Sequence, residues 1–110
     1  MIKVKLTDIQ GETVKEDNRY TVKDNTVLNN LVLSSTNLHK NKSTTGHKHA
    51  GQEEIYMFLQ GSGKMELGSY GTFDVSAGDI VQIEDGEFHR VHAGSEGCYF
   101  VCVFDGRRTK

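Results

Sequence analysis

Apolar residues in this chain alternate with polar ones over short segments, and glycine, asparagine or aspartate separates one segment from the next. A period of two places every second side chain on the same face of an extended strand, so the pattern is typical of β-strands. No stretch repeats apolar residues at the three-to-four spacing of an amphipathic helix. The sequence therefore predicts an all-β fold, and the many short, regularly spaced strands favour a barrel or a sandwich.

Turn-forming residues separate these strand-like segments. Glycine-bearing turns at residues 61–63, 77–79 and 85–86 predict three hairpin connections. The polar segment 36–45 predicts a surface loop that leads into a histidine-rich stretch. The segments that we predict as strands are residues 3–6, 20–22, 27–33, 53–60, 64–67, 71–75, 80–84, 88–93 and 98–104.

Length, charge and cysteine content narrow the class of protein. A chain of 110 residues is long enough for one domain with a modest core. A net charge of −2 without a cluster of basic and aromatic residues argues against nucleic acid and anionic membranes as partners. No apolar run resembles a signal peptide or a membrane span, so we expect a cytoplasmic protein. Cys98 and Cys102 would lie about 13 Å apart on one strand, too far for a disulfide, and are predicted to be reduced.

The histidine-rich stretch points to a metal site. His47 and His49 lie on the same face of an extended segment, where two imidazoles can bind one ion. A carboxylate, Glu53 or Glu54, follows a glycine-bearing bend, and His89 follows the turn at residues 85–86. A barrel brings such strand ends together. Three neutral imidazoles and a carboxylate suit one divalent ion of Mn, Fe, Co, Ni, Cu or Zn and leave positions open for water or substrate.

These residues resemble the two sequence motifs of the cupin family. The first motif has two histidines separated by one residue, a glutamate after four more residues and a glycine after another six. The second begins with a Gly-Asp pair and continues to a glycine and a histidine. The matching residues are His47, His49, Glu54 and Gly61 in the first motif and Gly78, Asp79, Gly86 and His89 in the second. The resemblance implies that His47, His49, Glu54 and His89 are the metal ligands.

The sequence departs from the second motif at two positions. Glu84 stands at the motif's proline position and Ala93 at its asparagine position, but neither position binds metal in the family. The resemblance implies a small, single-domain cupin of residues 1–110, folded as a double-stranded β-helix, or jelly-roll, barrel. Within it we expect N-terminal strands in residues 1–35, the motif-bearing core in residues 36–105 and a tail in residues 106–110.

The strand around Glu54 is apolar on both faces. Alternation places Tyr56 and Phe58 on the same face as Glu54. The other face then carries Glu53, Ile55, Met57 and Leu59. A strand buried on both sides in so small a barrel needs a second sheet or a second subunit against its outer face. The sequence therefore predicts a homodimer.

The resemblance to small cupins near the sugar isomerases implies a metal-dependent enzyme of the isomerase, epimerase or lyase type. Its substrate would be a small polar metabolite such as a sugar or sugar acid, with Glu54 or Tyr56 as the catalytic residues that move a proton. Two alternatives remain open: a metal-dependent dioxygenase, and a non-catalytic cupin that binds a small ligand. The sequence contains no nucleophile elbow, Walker loop or dinucleotide fingerprint that would point elsewhere.

Overall fold

The computed structural model describes residues 3–48 and 50–106, and this part of the chain contains seven β-strands and no helix. The all-β prediction is confirmed. None of the described residues belongs to a helix that is long and apolar enough to cross a membrane. The strands are β1 (Glu12–Glu16), β2 (Tyr20–Asn25), β3 (Leu31–Leu38), β4 (Glu54–Leu67), β5 (Gly71–Ser76), β6 (Ile80–Ile83) and β7 (His89–Asp105).

All strand pairings are antiparallel, and they join the strands in the order β1-β2-β3-β7-β4-β5, with β6 also paired to β4. The two longest strands, β4 and β7, pair from Glu54 opposite Phe104 to Leu67 opposite His89. The first half of β4 also pairs with β6, and its second half pairs with β5. The sheet therefore has two halves that share β4 and β7, and bending these strands folds one half over the other into a jelly-roll barrel.

The bend lies at glycines, which corrects one prediction. Residues 61–63 do not form a hairpin turn, because β4 continues through them and its register with β7 shifts on either side of Gly61. Gly61 has a φ of 75° and its backbone lies against the carbonyl of Gly97 on β7, which itself has a φ of 78°. Bulges of this kind bend and twist a strand without ending it. The predicted segments 88–93 and 98–104 are likewise one strand.

Other strand boundaries also differ from the predicted ones. Residues 3–6 form only an isolated bridge, between Lys5 and Asp8. Segment 27–33 belongs mostly to a connection, and β3 extends to Leu38 into the predicted loop 36–45. The sequence pattern does not predict strand β1, because all five of its residues are exposed and no alternation of burial marks it. Turns are present at residues 77–79 and 85–86, but they do not close the predicted hairpins, because β5, β6 and β7 each pair with β4 and the strands on either side of these turns do not pair with each other.

One hydrophobic core fills the space between the two halves of the sheet. Phe58 and Phe100, each 1% exposed, lie next to each other on the paired strands β4 and β7, with ring centroids 5.2 Å apart. Met65 and Val91 extend this core into the other half of the sheet. Both cysteines are free and buried, as predicted. The core fills one end of the barrel, and the interior side chains at the other end surround a pocket.

Candidate metal centre

Three of the four predicted metal ligands converge at the open end of the barrel. Glu54 is the first residue of β4, His89 is the first residue of β7, and His47 lies on the segment that precedes β4. One potential ligand atom from each of the three side chains lies within 4.8 Å of those of the other two. His49, the fourth predicted ligand, lies outside the described residues, as does the tail from residue 107 onward.

Backbone pairing fixes two of these histidines against each other. The amide of His47 donates to the carbonyl of His89 at 3.2 Å, and the amide of His89 donates to the carbonyl of His47 at 3.0 Å. The two rings then meet edge to face with centroids 4.4 Å apart. A short isolated bridge therefore brings together two residues that are 42 positions apart in the sequence (89 − 47).

The hydrogen bonds of the two rings select the tautomer that a metal needs. Nδ1 of His89 donates to the carbonyl of Glu87 at 3.0 Å, and Nδ1 of His47 donates to the carbonyl of Thr45 at 3.2 Å. A carbonyl oxygen only accepts, so the ring proton sits on Nδ1 when each imidazole is neutral. Nε2 of each ring then carries the lone pair that a metal ion binds, an arrangement that orients ligands in many metal sites.

Distances and burial also fit a metal ion. Nε2 of His89 lies 3.6 Å from Oε1 of Glu54. Two ligands that bind one transition-metal ion at about 2.1 Å lie about 3.0 to 3.4 Å apart, so a small side-chain rotation would suffice. His89 and Glu54 are 3% and 8% exposed, and His47 is exposed at the rim. The described members of the predicted ligand set thus form an inner pair and an outer partner.

Burial changes the acid–base properties of two side chains here. Desolvation raises the pKa of Glu54 from 4.5 to about 7, because a buried carboxylate loses hydration without gaining a compensating cation. Burial likewise raises the pKa of Tyr56 well above its ordinary value, with a smaller contribution from Cys102. The Tyr56 ring packs edge to face on His89 at 5.6 Å. Tyr56 is therefore a neutral neighbour of the candidate ligands at physiological pH.

The candidate ligands open onto a pocket of about 500 Å³. Strands β2, β3, β4 and β7 supply most of its wall, and His47 and Glu54 lie among its lining residues. Asp24, on β2, is a second carboxylate in this lining. Sequence analysis did not single out Asp24, because alternation assigns it to a face but cannot show that β2 faces the metal ligands across the barrel.

The two remaining histidines lie away from this cluster. His92 accepts or donates hydrogen bonds on both ring nitrogens, to Ser43 at 2.6 Å and to Glu66 at 2.5 Å. It pairs with Lys64 in the register of β4 and β7. His39 contacts the carbonyl of Asn18 in a turn beyond β3. Neither histidine belongs to the cluster of potential metal ligands among the described residues.

Comparison with known proteins identifies the family. The profile of the Cupin domain family matches residues 35–104, which is more than half of the chain. The chain belongs to the cupin family. A search of curated proteins finds no match to this cupin.

Solved structures share the fold of this cupin. KdgF from Halomonas sp. is 18% identical, over 89% of this chain and 90% of that chain, with a TM-score of 0.77. The polyketide cyclase RemF from Streptomyces resistomycificus is 29% identical, over 96% of this chain and 79% of that chain, also with a TM-score of 0.77. A variant of oxalate decarboxylase from Bacillus subtilis, an enzyme with Mn(II) centres, is 22% identical with a TM-score of 0.78; the match covers 91% of this chain and 28% of the enzyme.

Proposed function

We propose that this cupin binds one divalent transition-metal ion through His47, His49, Glu54 and His89 and is an enzyme acting on a small oxygen-bearing metabolite. The observation that carries the proposal is the convergence of His47, Glu54 and His89 at the mouth of a pocket large enough for a small molecule. When bound, such an ion acts as a Lewis acid toward substrate oxygens. Which metal is bound depends on availability as well as on the ligand set.

The pocket residues suggest how protons would be moved. Glu54 serves the ion, and Asp24 is the other carboxylate among the described lining residues, so Asp24 is our candidate for the base that takes a proton from the substrate. Burial raises the pKa of the Tyr56 hydroxyl, so this group stays protonated and would donate a hydrogen bond to the substrate instead of exchanging a proton with it. This division of roles keeps Glu54 and Tyr56 in the site and adds a base from β2.

Proton transfer next to a polarised carbonyl supports several related reactions. Isomerisation, epimerisation, elimination and ring closure can each begin with removal of such a proton. The 29% identity to a polyketide cyclase supports including ring closure in this group. An oxygen-dependent reaction is the alternative class, and a reaction that stops when dioxygen is removed would replace our proposal with a dioxygenase.

Metal analysis tests the proposal directly. Protein purified without an affinity tag should contain about one transition-metal ion per chain by elemental analysis. His89→Ala should lose this metal, whereas His39→Ala, a control outside the cluster, should keep it. Equal metal content in the two variants would contradict the proposed ligand set. Asp24→Asn should keep the metal and lose turnover once a substrate is found.

The outer face of β4 supports the predicted homodimer, which we also propose. Ile55 is 41% exposed and Ile80, on the neighbouring β6, is 65% exposed. Met57 pairs with Ile80 in the register and is half-buried. Light scattering should report twice the chain mass, and Ile55→Lys should give the single-chain mass. A single-chain mass for the unmodified protein would refute the dimer.

A further inference from the structure

We propose that the substrate of this pocket has a flat, unsaturated and largely apolar body, so that it resembles an aromatic or polyene compound more than a sugar. This inference rests on the proposed function, from which it takes the substrate oxygens that would meet the metal. It adds the chemistry of the rest of the substrate. It departs from the sugar or sugar acid that the sequence analysis favoured. Four observations on the described residues carry it.

Aromatic rings supply much of the pocket wall. Tyr20 lines it from β2, Tyr56 from β4, and Phe100 and Phe104 from β7. The rings of Tyr56 and Phe100 are stacked, with centroids 5.0 Å apart and planes 19° from parallel. These two rings are 7% and 1% exposed, so the half-buried Phe104 is the ring of this wall that a ligand can reach most readily. An aromatic wall favours flat ligands, because offset stacking adds to the energy gained from burying apolar area.

Aliphatic side chains continue the same wall. Val22 on β2 and Val32 on β3 line the pocket between the aromatic residues. The strand register explains this placement, because Val22 lies opposite Thr36 and Val32 lies opposite Phe104, all on the interior face. Burying apolar ligand surface against such a wall is favourable because it removes that surface from water. A sugar, whose hydroxyls lose water on entry, would gain little here.

Several polar groups of the lining are already hydrogen-bonded to the protein. The Ser34 hydroxyl donates to the carbonyl of Lys23 at 3.1 Å, and the Gln52 amide donates to the carbonyl of Asp105 at 3.0 Å. The Thr44 hydroxyl oxygen accepts from the amide of Val91 at 3.0 Å. These groups retain limited capacity for a ligand with a hydroxyl on every carbon.

Charges around the pocket disfavour an anionic substrate such as a sugar acid. Asp24 and Glu54 contribute carboxylates to the lining, and Lys15 is the one lysine or arginine among the described lining residues. Lys15 is exposed, with its ammonium group 6.0 Å from the Tyr20 ring centroid. A second carboxylate on the ligand would therefore lack a fixed cation in the described lining.

Arg19 lies near this wall but is already paired. Its guanidinium lies over the Tyr20 ring at 4.6 Å and forms an ion pair with Asp17 at 2.8 Å. An anionic ligand would have to compete with the Asp17 carboxylate for this cation. The charge distribution therefore favours a neutral ligand body beyond the oxygens that would meet the metal.

Binding of a two-ring probe tests the inference. β-Naphthol can be excited beyond the tyrosine band, and the chain has no tryptophan to interfere. Its affinity, measured by fluorescence titration, is compared with the calorimetric affinities of decahydro-β-naphthol, xylose and glucuronate. Each ligand is titrated into metal-loaded protein and into protein kept in EDTA. We expect β-naphthol to bind at least about tenfold more tightly than either sugar, a difference of about 1.4 kcal/mol.

A pair of variants localises the probe. Phe104→Ser removes a ring from the pocket wall and should weaken β-naphthol binding about tenfold, whereas Tyr70→Ser, at a residue that is 76% exposed outside the pocket, should leave binding unchanged. Phe104→Leu should retain part of the affinity if the variant protein is folded. Sugars that bind as tightly as β-naphthol, or an unchanged affinity in Phe104→Ser, would overturn the inference.

The EDTA arm separates this inference from the proposed function. The wall contacts do not involve the ion, so β-naphthol should bind to metal-free protein with the same dependence on Phe104. Protein that binds β-naphthol but no metal would refute the proposed function and leave the inference standing. Protein that binds metal but prefers glucuronate would refute the inference and leave the proposed function standing. Tighter binding of decahydro-β-naphthol than of β-naphthol would contradict the preference for a flat body.

Discussion

Replacing Glu54 by glutamine should raise the stability of the metal-free protein and lower the stability of the metal-loaded protein. The side chain is 8% exposed, and desolvation raises its pKa from 4.5 to about 7. A raised carboxyl pKa means that the folded state holds more protons than the unfolded state between these two values. The stability of the metal-free protein should therefore fall as pH rises from about 4.5 to about 7, and the full cost of ionising Glu54 is present above pH 7.

The shift sets the size of the expected effect. A difference of about 2.5 pKa units corresponds to about 3 kcal/mol, and water in the adjoining pocket screens part of it. We therefore expect Glu54→Gln to gain about 1 to 3 kcal/mol at about pH 8 in EDTA. The gain should shrink toward zero below about pH 4.5, where Glu54 is protonated in both the folded and the unfolded state and resembles glutamine in charge and shape.

Urea unfolding at several pH values measures this difference. The order should reverse when metal is added at about a thousand times its dissociation constant. Such a concentration stabilises the native protein by about 4.1 kcal/mol, which exceeds the gain of the variant, and the variant lacks one of the metal ligands. A Glu54→Gln variant that is less stable than the native protein at about pH 8 in EDTA would refute the argument from desolvation. Equal stabilisation of both proteins by metal would remove Glu54 from the ligand set.

Three further outcomes follow from the same structure. Gly61→Ala should lower the free energy of unfolding, measured in urea, by at least about 2 kcal/mol, because the added β-carbon would overlap a backbone carbonyl at a φ of 75°. Gly71→Ala, at a φ of 89° but with open space around it, should lower it by about 1 kcal/mol. Equal losses in the two variants would refute the clash. Phe58→Ala should cost about 3–5 kcal/mol from a site that is 1% exposed, whereas Tyr70→Ala should stay within about 0.5 kcal/mol. Metal affinity, measured by competition with a chelator, should fall as pH drops below about 6.5, because a protonated His89 cannot bind metal. An affinity that is independent of pH down to about 4.5 would contradict imidazole ligation.

The sequence predicted the parts of this molecule that local patterns encode. Alternation in β4 correctly assigned Tyr56 and Phe58 to the interior and Ile55 to the outside, because the side-chain period of a strand is fixed by its backbone. Two of the three predicted turns are present for the same local reason. The third, at Gly61, is a bulge, because a positive φ permits either feature and the partner strand β7 decides between them.

The pocket was beyond the reach of sequence patterns. Asp24 and Phe104 belong to strands separated by most of the chain, and only the pairing of β2 with β3 and of β3 with β7 places them around one cavity. A shift of one residue in either pairing would turn one of these side chains to the outside. The spacing of histidines and glutamate could therefore indicate a metal centre, but it carried no information about the surface that the substrate would meet.

The position of the candidate ligands follows from where the core ends. Interior residues deep in the barrel, such as Phe58 and Phe100, pack side by side on the paired strands β4 and β7 and are each only 1% exposed. Glu54 lies on the same face of β4 as Phe58 but at the start of the strand, where the interior side chains line a pocket instead of filling it. A buried carboxylate at this boundary is unfavourable for the metal-free fold, yet it is close enough to His89 to share an ion. The stability that the metal-free fold loses at Glu54 is therefore the physical reason to expect an ion there. The glutamine variant measures both the cost of the buried carboxylate and the stabilisation that the ion gives through it.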